Sequence, residues 1–189
     1  MSDEFTAFAK TVLRCPSCDG DGLVLAEKWL KCSACDEEFA ADPDMRFATL
    51  LPPSVQSDAA KQNIQKWWSD LYEQLYGETD RNLTPENLVE MVDAFEDLMR
   101  IRGHLAAVEM PLADLAGKHV LEIGPGGGGH SCLFKKHGAR VTVADITPER
   151  ALSATRKLSL MAGSTSTGFN ADGENLPFTD NSFDIVYSN

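Results

Sequence analysis

Four of the five cysteines stand in two matched pairs, Cys15-Pro16-Ser17-Cys18 and Cys32-Ser33-Ala34-Cys35. Two residues inside each pair let both sulfurs converge on one ion while the backbone turns around it. Two such knuckles make a tetrahedral four-thiolate site, which suits zinc. Cys15, Cys18, Cys32 and Cys35 are therefore the candidate metal ligands, with Zn2+ as the expected ion. Four thiolates leave no open coordination position, so a structural ion is expected rather than a catalytic one. Four unrelated reduced thiols would be the bland account, and two matched pairs in one short stretch argue against it. The gap from Cys18 to Cys32 is slightly short for a zinc ribbon but fits a compact hairpin. Asp19-Gly20-Asp21-Gly22 supplies the turn, and Leu23 to Lys31 the strands.

A second chemistry-bearing stretch is Val120-Leu121-Glu122-Ile123-Gly124-Pro125-Gly126-Gly127-Gly128-Gly129-His130. A short apolar strand, His119 to Ile123, runs into a glycine-rich turn, and Ser131 to His137 reads as a helix. This order lets backbone N–H groups approach a nucleotide-like ligand closely. A second strand, Arg140 to Ala144, ends on Asp145, where an acid can hold the two hydroxyls of a ribose. Pro148 suits the first turn of the next helix, with Thr147 as its cap. A third acidic cluster lies in Phe169-Asn170-Ala171-Asp172-Gly173-Glu174-Asn175-Leu176-Pro177-Phe178, and Phe183-Asp184-Ile185-Val186-Tyr187-Ser188-Asn189 follows.

The E-x-G-x-G-x-G order of Glu122, Gly124, Gly126 and Gly128 resembles motif I of the class I S-adenosylmethionine-dependent methyltransferases. The D-G-E-x-L-P-F and S-F-D-I-V pairing resembles the third-strand loop and fourth strand of the same family, and is far more specific than a glycine turn. The resemblance covers roughly the last seventy residues, in βαβαβ order. It implies an α/β fold with a Rossmann-like parallel sheet, S-adenosyl-L-methionine as cofactor, and methyl transfer to an O, N or C nucleophile. It also implies roles. Glu122 attracts the cofactor's ammonium, directly or through water. The turn passes beneath the amino acid and ribose portions. Asp145 takes the ribose hydroxyls, and Ile146 packs on adenine. Asp172 accepts from the adenine amino group, with the backbone of Gly173 and Glu174 nearby. Ser188 and Asn189 fall at the methionine moiety and the substrate. Alone, Asp145 or Asp172 would be read equally well as a loop-forming or capping aspartate. No catalytic base is assignable.

Among the remaining polar residues, His130 reads as a helix-start or packing histidine and Cys132 as a small buried hydrophobe. Lys135, Lys136 and His137 suit the negative end of a helix.

The chain has 189 residues, 43% of them apolar, a formal net charge of -12 and a sequence pI near 4.7. That is enough for one medium domain plus a small module. The acidity argues against a broad nucleic-acid surface, and no DNA partner is expected. No signal peptide or membrane-spanning run is legible, so a soluble cytoplasmic protein with no membrane partner is the expectation.

Three regions follow: residues 1–52 as the zinc ribbon, 53–116 as a helical linker or cap, and 117–189 as the cofactor-binding domain. Leu51-Pro52-Pro53-Ser54 reads as the break between the first two. Asp58 to Tyr76 reads as a helix stopped by Gly77, with Ile64, Trp67, Trp68, Leu71 and Leu75 on one face. The two tryptophans are expected to pack that helix on the core; a place in a substrate pocket is the alternative. Thr84-Pro85-Glu86 starts another helix, with Leu88, Met91, Val92, Phe95, Leu98 and Met99 as its apolar stripe and Gly103 as its end. A shorter helix is expected from His104 to Leu115.

The methyl acceptor is expected to be a small molecule. One alternative is a ribosomal RNA base, with the zinc module reading RNA. Another is a non-catalytic cofactor-binding adaptor that docks through the ribbon. Family sheets have seven strands in the order 3-2-1-4-5-7-6, and this sequence supplies the first four, so the sheet is expected to be truncated after the fourth.

Overall fold

The computed structural model describes residues 2–101 and 110–188. Gly103, the first half of the helix expected from His104 to Leu115, and Asn189 lie outside the described residues.

The chain opens with helix α1, Ser2–Thr11, whose Phe5, Phe8 and Ala9 point inward. Four short strands follow: β1 (Leu23–Ala26), β2 (Trp29–Cys32), β3 (Glu38–Asp42) and β4 (Phe47–Leu50). They pair antiparallel in sequence order, with Val24 opposite Lys31 and Leu30 opposite Phe39. Leu51 and Pro52, expected to be a linker, are buried, and Pro53–Gln56 forms a single helical turn, α2.

Asp58 caps α3 (Ala59–Tyr72), accepting from the amides of Ala60 and Lys61 at 2.8 and 3.2 Å. Gly77 does not stop this helix as expected. The chain widens into a π turn, Glu73–Gly77, and continues as α4, Glu78–Arg81. Gly77 keeps helical angles, and a Cβ there would collide with the Glu73 carboxylate, which Arg81 holds over it. Gly77 is thus no left-handed stop. The next helix, α5 (Pro85–Ile101), starts as expected: the Thr84 hydroxyl accepts from the Asn87 amide, and the Asn87 side chain accepts from the Thr84 amide. Leu112–Leu115 makes one 3-10 turn.

The second half is β5 (His119–Ile123), α6 (Gly129–Lys136), β6 (Arg140–Asp145), α7 (Pro148–Leu160), β7 (Thr167–Ala171) and β8 (Ile185–Ser188). β8 pairs parallel with β5, β5 with β6, and β6 with β7. These strands stand in the third-second-first-fourth order expected of the family. The sequence reading starts the fourth strand at Phe183, but β8 begins at Ile185: Phe183 packs on His119 and Phe178, and the Asp184 carboxylate accepts from the His119 amide at 2.7 Å.

One sheet carries all eight strands, in the order β1-β2-β3-β4-β7-β6-β5-β8. The joint is β4, which runs parallel to β7 with Phe47 opposite Gly168 and Leu50 opposite Ala171. The side chains of each central strand alternate between two cores. Leu121, Ala144 and Phe169 face α1 and the ribbon; Val120, Val141 and Val143 face α5, α6 and α7. Both faces are thus covered, as a parallel sheet requires. α7 comes so close that a Cβ at Gly168 would overlap the Thr155 hydroxyl.

The tryptophans do not pack on the core as expected. Trp67 is 59% exposed and Trp68 37%, with Ile64 and Leu75 also open. The faces of the sheet are already covered, and α3 lies across strand ends against α7, so its apolar side meets a cleft instead of a wall. Among the described residues, no helix is long and apolar enough to cross a membrane.

Candidate functional site

Two features stand at opposite sides of one loop: a cysteine cluster and a cleft at the carboxyl ends of the parallel strands.

The four sulfurs of Cys15, Cys18, Cys32 and Cys35 all lie within 4.8 Å of one another. Cys15 Sγ is 3.7 Å from Cys35 Sγ, and Cys18 Sγ is 3.6 Å from Cys32 Sγ. Metal–sulfur bonds of about 2.3 Å in a tetrahedron require sulfur–sulfur edges of about 3.8 Å, so the donor set fits a metal ion. The knuckles are built alike. Asp19 and Asp36 each follow the second cysteine of a pair with φ of 60°, and their amides close the turns on the Cys15 and Cys32 carbonyls at 2.9 and 3.1 Å. Asp tolerates this left-handed conformation better than most residues. Burial pushes the Cys15 thiol up to about 12. Cys32 is held down at about 7 against its burial, by amide N–H groups that include Ala34's at 3.4 Å. A Cβ at Gly20 would stand 3.0 Å from Ala34 Cβ and 3.3 Å from Cys18 Sγ, so the knuckles admit no side chain there.

The loop from Asp172 to Phe178 joins the cluster to the cleft. The Arg14 amide donates to the Pro177 carbonyl at 3.0 Å, and the Thr179 amide to the Val12 carbonyl at 2.8 Å. Asn175 Nδ2 donates to the Pro16 carbonyl, inside the first knuckle, at 2.9 Å.

The cleft has a volume of about 370 Å3. Ile123 and Gly124, Asp145 and Ile146, and Asp172, Gly173 and Glu174 line it from the ends of β5, β6 and β7; Lys61, Ile64 and Trp68 close it from α3. Of the residues assigned to the cofactor from sequence, six meet here. Asp145 is 8% exposed, and one of its oxygens takes the Thr147 amide at 2.7 Å. Thr147 does not cap the helix through its side chain as expected: its hydroxyl is buried without a partner among the described residues. Burial raises Asp145 above the ordinary carboxylate range, and the Thr147 N–H opposes the rise.

The other assigned residues lie apart from this lining. Gly126 has φ of 56° and its nearest neighbour is the Arg150 guanidinium. Gly128 sits in the left-handed region before α6, where a Cβ would meet Ala154 Cα at 3.3 Å; it sets the approach of α6 to α7. Gly124, which belongs to the cleft lining, has φ of 69° and faces open space, with no described atom within 4 Å of a Cβ, as a cradle for a ligand must. Glu122 is buried beneath the turn and accepts from the Ser131 hydroxyl. Asn189 lies outside the described residues.

Burial carries Glu122 up to about 7, with Ser131 opposing. Its folded pKa thus exceeds its unfolded value near 4.5. The native state holds the proton more tightly, so the stability this confers is full below pH 4.5 and is lost as pH rises through about 7. About 2.5 pKa units correspond to roughly 3 kcal/mol. Urea unfolding at pH 5 and pH 8 should show a fall of that order, and Glu122→Gln should flatten it; equal slopes in both proteins would place the charge elsewhere.

Sequence reasoning missed Lys61. Its ammonium contacts the Asp172 carboxylate and stands 2.8 Å from Glu174 Oε2, and these two partners pull its pKa up. It missed Arg150 as well, whose guanidinium stacks 4.3 Å over the Trp68 ring. Neither has a local signature, because each meets its partner on an element far away in the chain. Lys61 competes for the carboxylate that the adenine amino group would use. Lys61→Met should therefore tighten S-adenosylhomocysteine binding several-fold in a calorimetric titration; a weaker complex would show that Lys61 shapes the loop instead.

Residues 121–189 match the family described as "Methyltransferase domain". No curated protein matches the chain. The parallel order of β7, β6, β5 and β8 and the glycine turn agree with this match, which supports a class I S-adenosylmethionine-dependent methyltransferase domain over residues 121–189, with a four-cysteine cluster ahead of it in the chain.

Proposed function

We propose that this protein methylates an O, N or C nucleophile of a small molecule, and that its four cysteines hold a structural Zn2+. The observation that carries the reading is the cleft: Asp145 and Asp172 line it from neighbouring strand ends, and Gly124 leaves its floor bare. Asp145 would hold the ribose hydroxyls and Asp172 the adenine amino group, with Ile146 against the ring. Ile64 and Trp68 would exclude water from above. S-adenosyl-L-methionine supplies an already activated methyl group, so the protein's work is positioning and desolvation. A second cavity of about 320 Å3 beside the glycine turn supports a small acceptor, because sites for such molecules begin at about this size.

The RNA reading needs free cations on the ribbon. Arg14 lies 3.7 Å from Asp21, and Lys31 lies 3.3 and 3.8 Å from Asp36 and Glu38; Lys10 and Lys28 stay unpaired among the described residues, too few for a positive groove, which supports the small-molecule reading. Reduced, metal-ready thiols agree with a cytoplasmic setting. The test is calorimetry with S-adenosylhomocysteine and with a nicotinamide dinucleotide. Binding of the first supports the reading, and tight binding of the second in its place overturns it.

A further inference from the structure

A cavity of about 320 Å3 opens where the parallel strands begin: His119 of β5, Arg140 and Thr142 of β6, and Thr167 of β7 line it, with α1 as the facing wall. Strands of five and six residues hold it roughly 15 Å from the cofactor cleft at their other ends. Phe8 and Val12 of α1, both half-buried, supply an apolar side. The volume suits a small organic molecule rather than a lone ion.

The polar groups of the lining can be followed one by one. Glu4 and Arg46 answer each other, Oε2 standing 3.3 Å from Nη2. The Thr11 hydroxyl donates to the Ala7 carbonyl at 2.8 Å. Arg140 meets no carboxylate among the described residues; its guanidinium donates to His119 Nδ1 at 2.9 Å. A guanidinium cannot accept, so the imidazole is assigned as neutral with its hydrogen on Nε2. Burial and the Arg140 charge agree, holding the His119 pKa down at about 4. Nε2 then donates to the Thr142 hydroxyl at 2.9 Å, and that oxygen lies 2.9 Å from the Thr167 hydroxyl. Whichever threonine donates to the other, one hydroxyl hydrogen of the pair finds no acceptor among the described residues. The hydroxyl of Thr165, a half-buried residue, has no partner among them either.

The lining therefore has donors to spare and no free acceptor. Two guanidiniums against one carboxylate leave it one positive charge, in a chain whose net charge is -12. Arg140 is an exposed residue and uses one edge of its fork on His119, so N–H groups remain open to a ligand. A cation would be repelled, and a purely apolar ligand would leave the donors unanswered. A phosphate dianion would bring one charge too many. A carboxylate matches in charge and shape, because its two oxygens can take guanidinium N–H groups side by side and a hydroxyl as well.

We propose that this cavity binds a small molecule with one carboxylate and an apolar body, the carboxylate on Arg140 and Thr165 and the body against Phe8 and Val12. The site lies outside the methyl-transfer reading and does not depend on it.

The test is calorimetry on the full chain with benzoate, benzamide and phenyl phosphate. Benzoate should bind saturably and phenyl phosphate more weakly. Benzamide, of the same shape without the charge, should bind roughly tenfold more weakly, as expected for losing charge-assisted hydrogen bonds. Arg140→Gln should bring benzoate down to the level of benzamide. Its amide can still donate to His119, so the thermal midpoint should stay in place. Ala7→Trp fills the cavity from an exposed position of α1 and should exclude both probes. No benzoate binding, equal binding of benzoate and benzamide, or tighter binding of phenyl phosphate would overturn the proposal. Benzoate binding untouched by either substitution would overturn it as well.

Discussion

If the four cysteines hold zinc as proposed, stripping it will unfold the ribbon and weaken cofactor binding across the loop that separates them. Structural zinc supplies on the order of 10–16 kcal/mol of apparent folding free energy to small four-ligand modules. Strands of four and five residues leave the ribbon little core of its own. Cys15 and Cys32 are themselves part of the core that Leu23, Leu30 and Phe39 share with Leu121 and Phe169. Loss of the first knuckle also removes the Pro16 carbonyl from Asn175 and the Arg14 amide from Pro177. The loop bearing Asp172 and Glu174 then loses its far anchors. Metal analysis of purified protein should find about one zinc per chain. A chelator, or Cys32→Ser, should abolish amide-exchange protection in β1 to β3 and lower S-adenosylhomocysteine affinity. A metal-free ribbon that stays folded would sink the metal assignment, and an unfolded ribbon with unchanged affinity would show that the loop holds its own shape.

The second large effect is at Asp145. Asp145→Ala should weaken S-adenosylmethionine and S-adenosylhomocysteine by a similar factor, because both carry the same ribose. Removing a charged acceptor costs on the order of 1–3 kcal/mol, roughly five- to 150-fold in affinity. The alanine also deprives the Thr147 amide of its partner at the start of α7. Asp145→Asn separates the two effects, since its carbonyl oxygen can still accept from Thr147. It should keep the thermal midpoint of the native protein and still lose affinity for both ligands. Unchanged affinity in both variants would move the ribose contact to another residue.

The sequence by itself determined what depends on neighbours in the chain. The C-x-x-C-D repeat is legible because each knuckle is closed by its own amides, so spacing alone brings the sulfurs together. The central strands are legible because parallel strands buried on both faces are largely apolar and β-branched, as in Val141 to Ala144. Asp145 and Asp172 could be placed at strand ends because each follows such a run directly.

Only the tertiary structure decided the rest, through contacts between residues far apart in the chain. Strand β4 has an ordinary pattern for a hairpin strand, and nothing local says that its second edge belongs to β7. Once it pairs there, the ribbon stops being an appendage and becomes the margin of the sheet. The apolar face of α3 promised a buried helix, but a helix is buried only where a surface is left uncovered, and here it was left a cleft. The glycines of the turn look interchangeable in sequence. Tertiary neighbours assign them: Gly124 to open space, Gly127 and Gly129 to the Tyr76 and Phe95 rings, Gly128 to α7. Lys61 carried no mark of its own, because a charge takes its meaning from the carboxylate that folding sets against it.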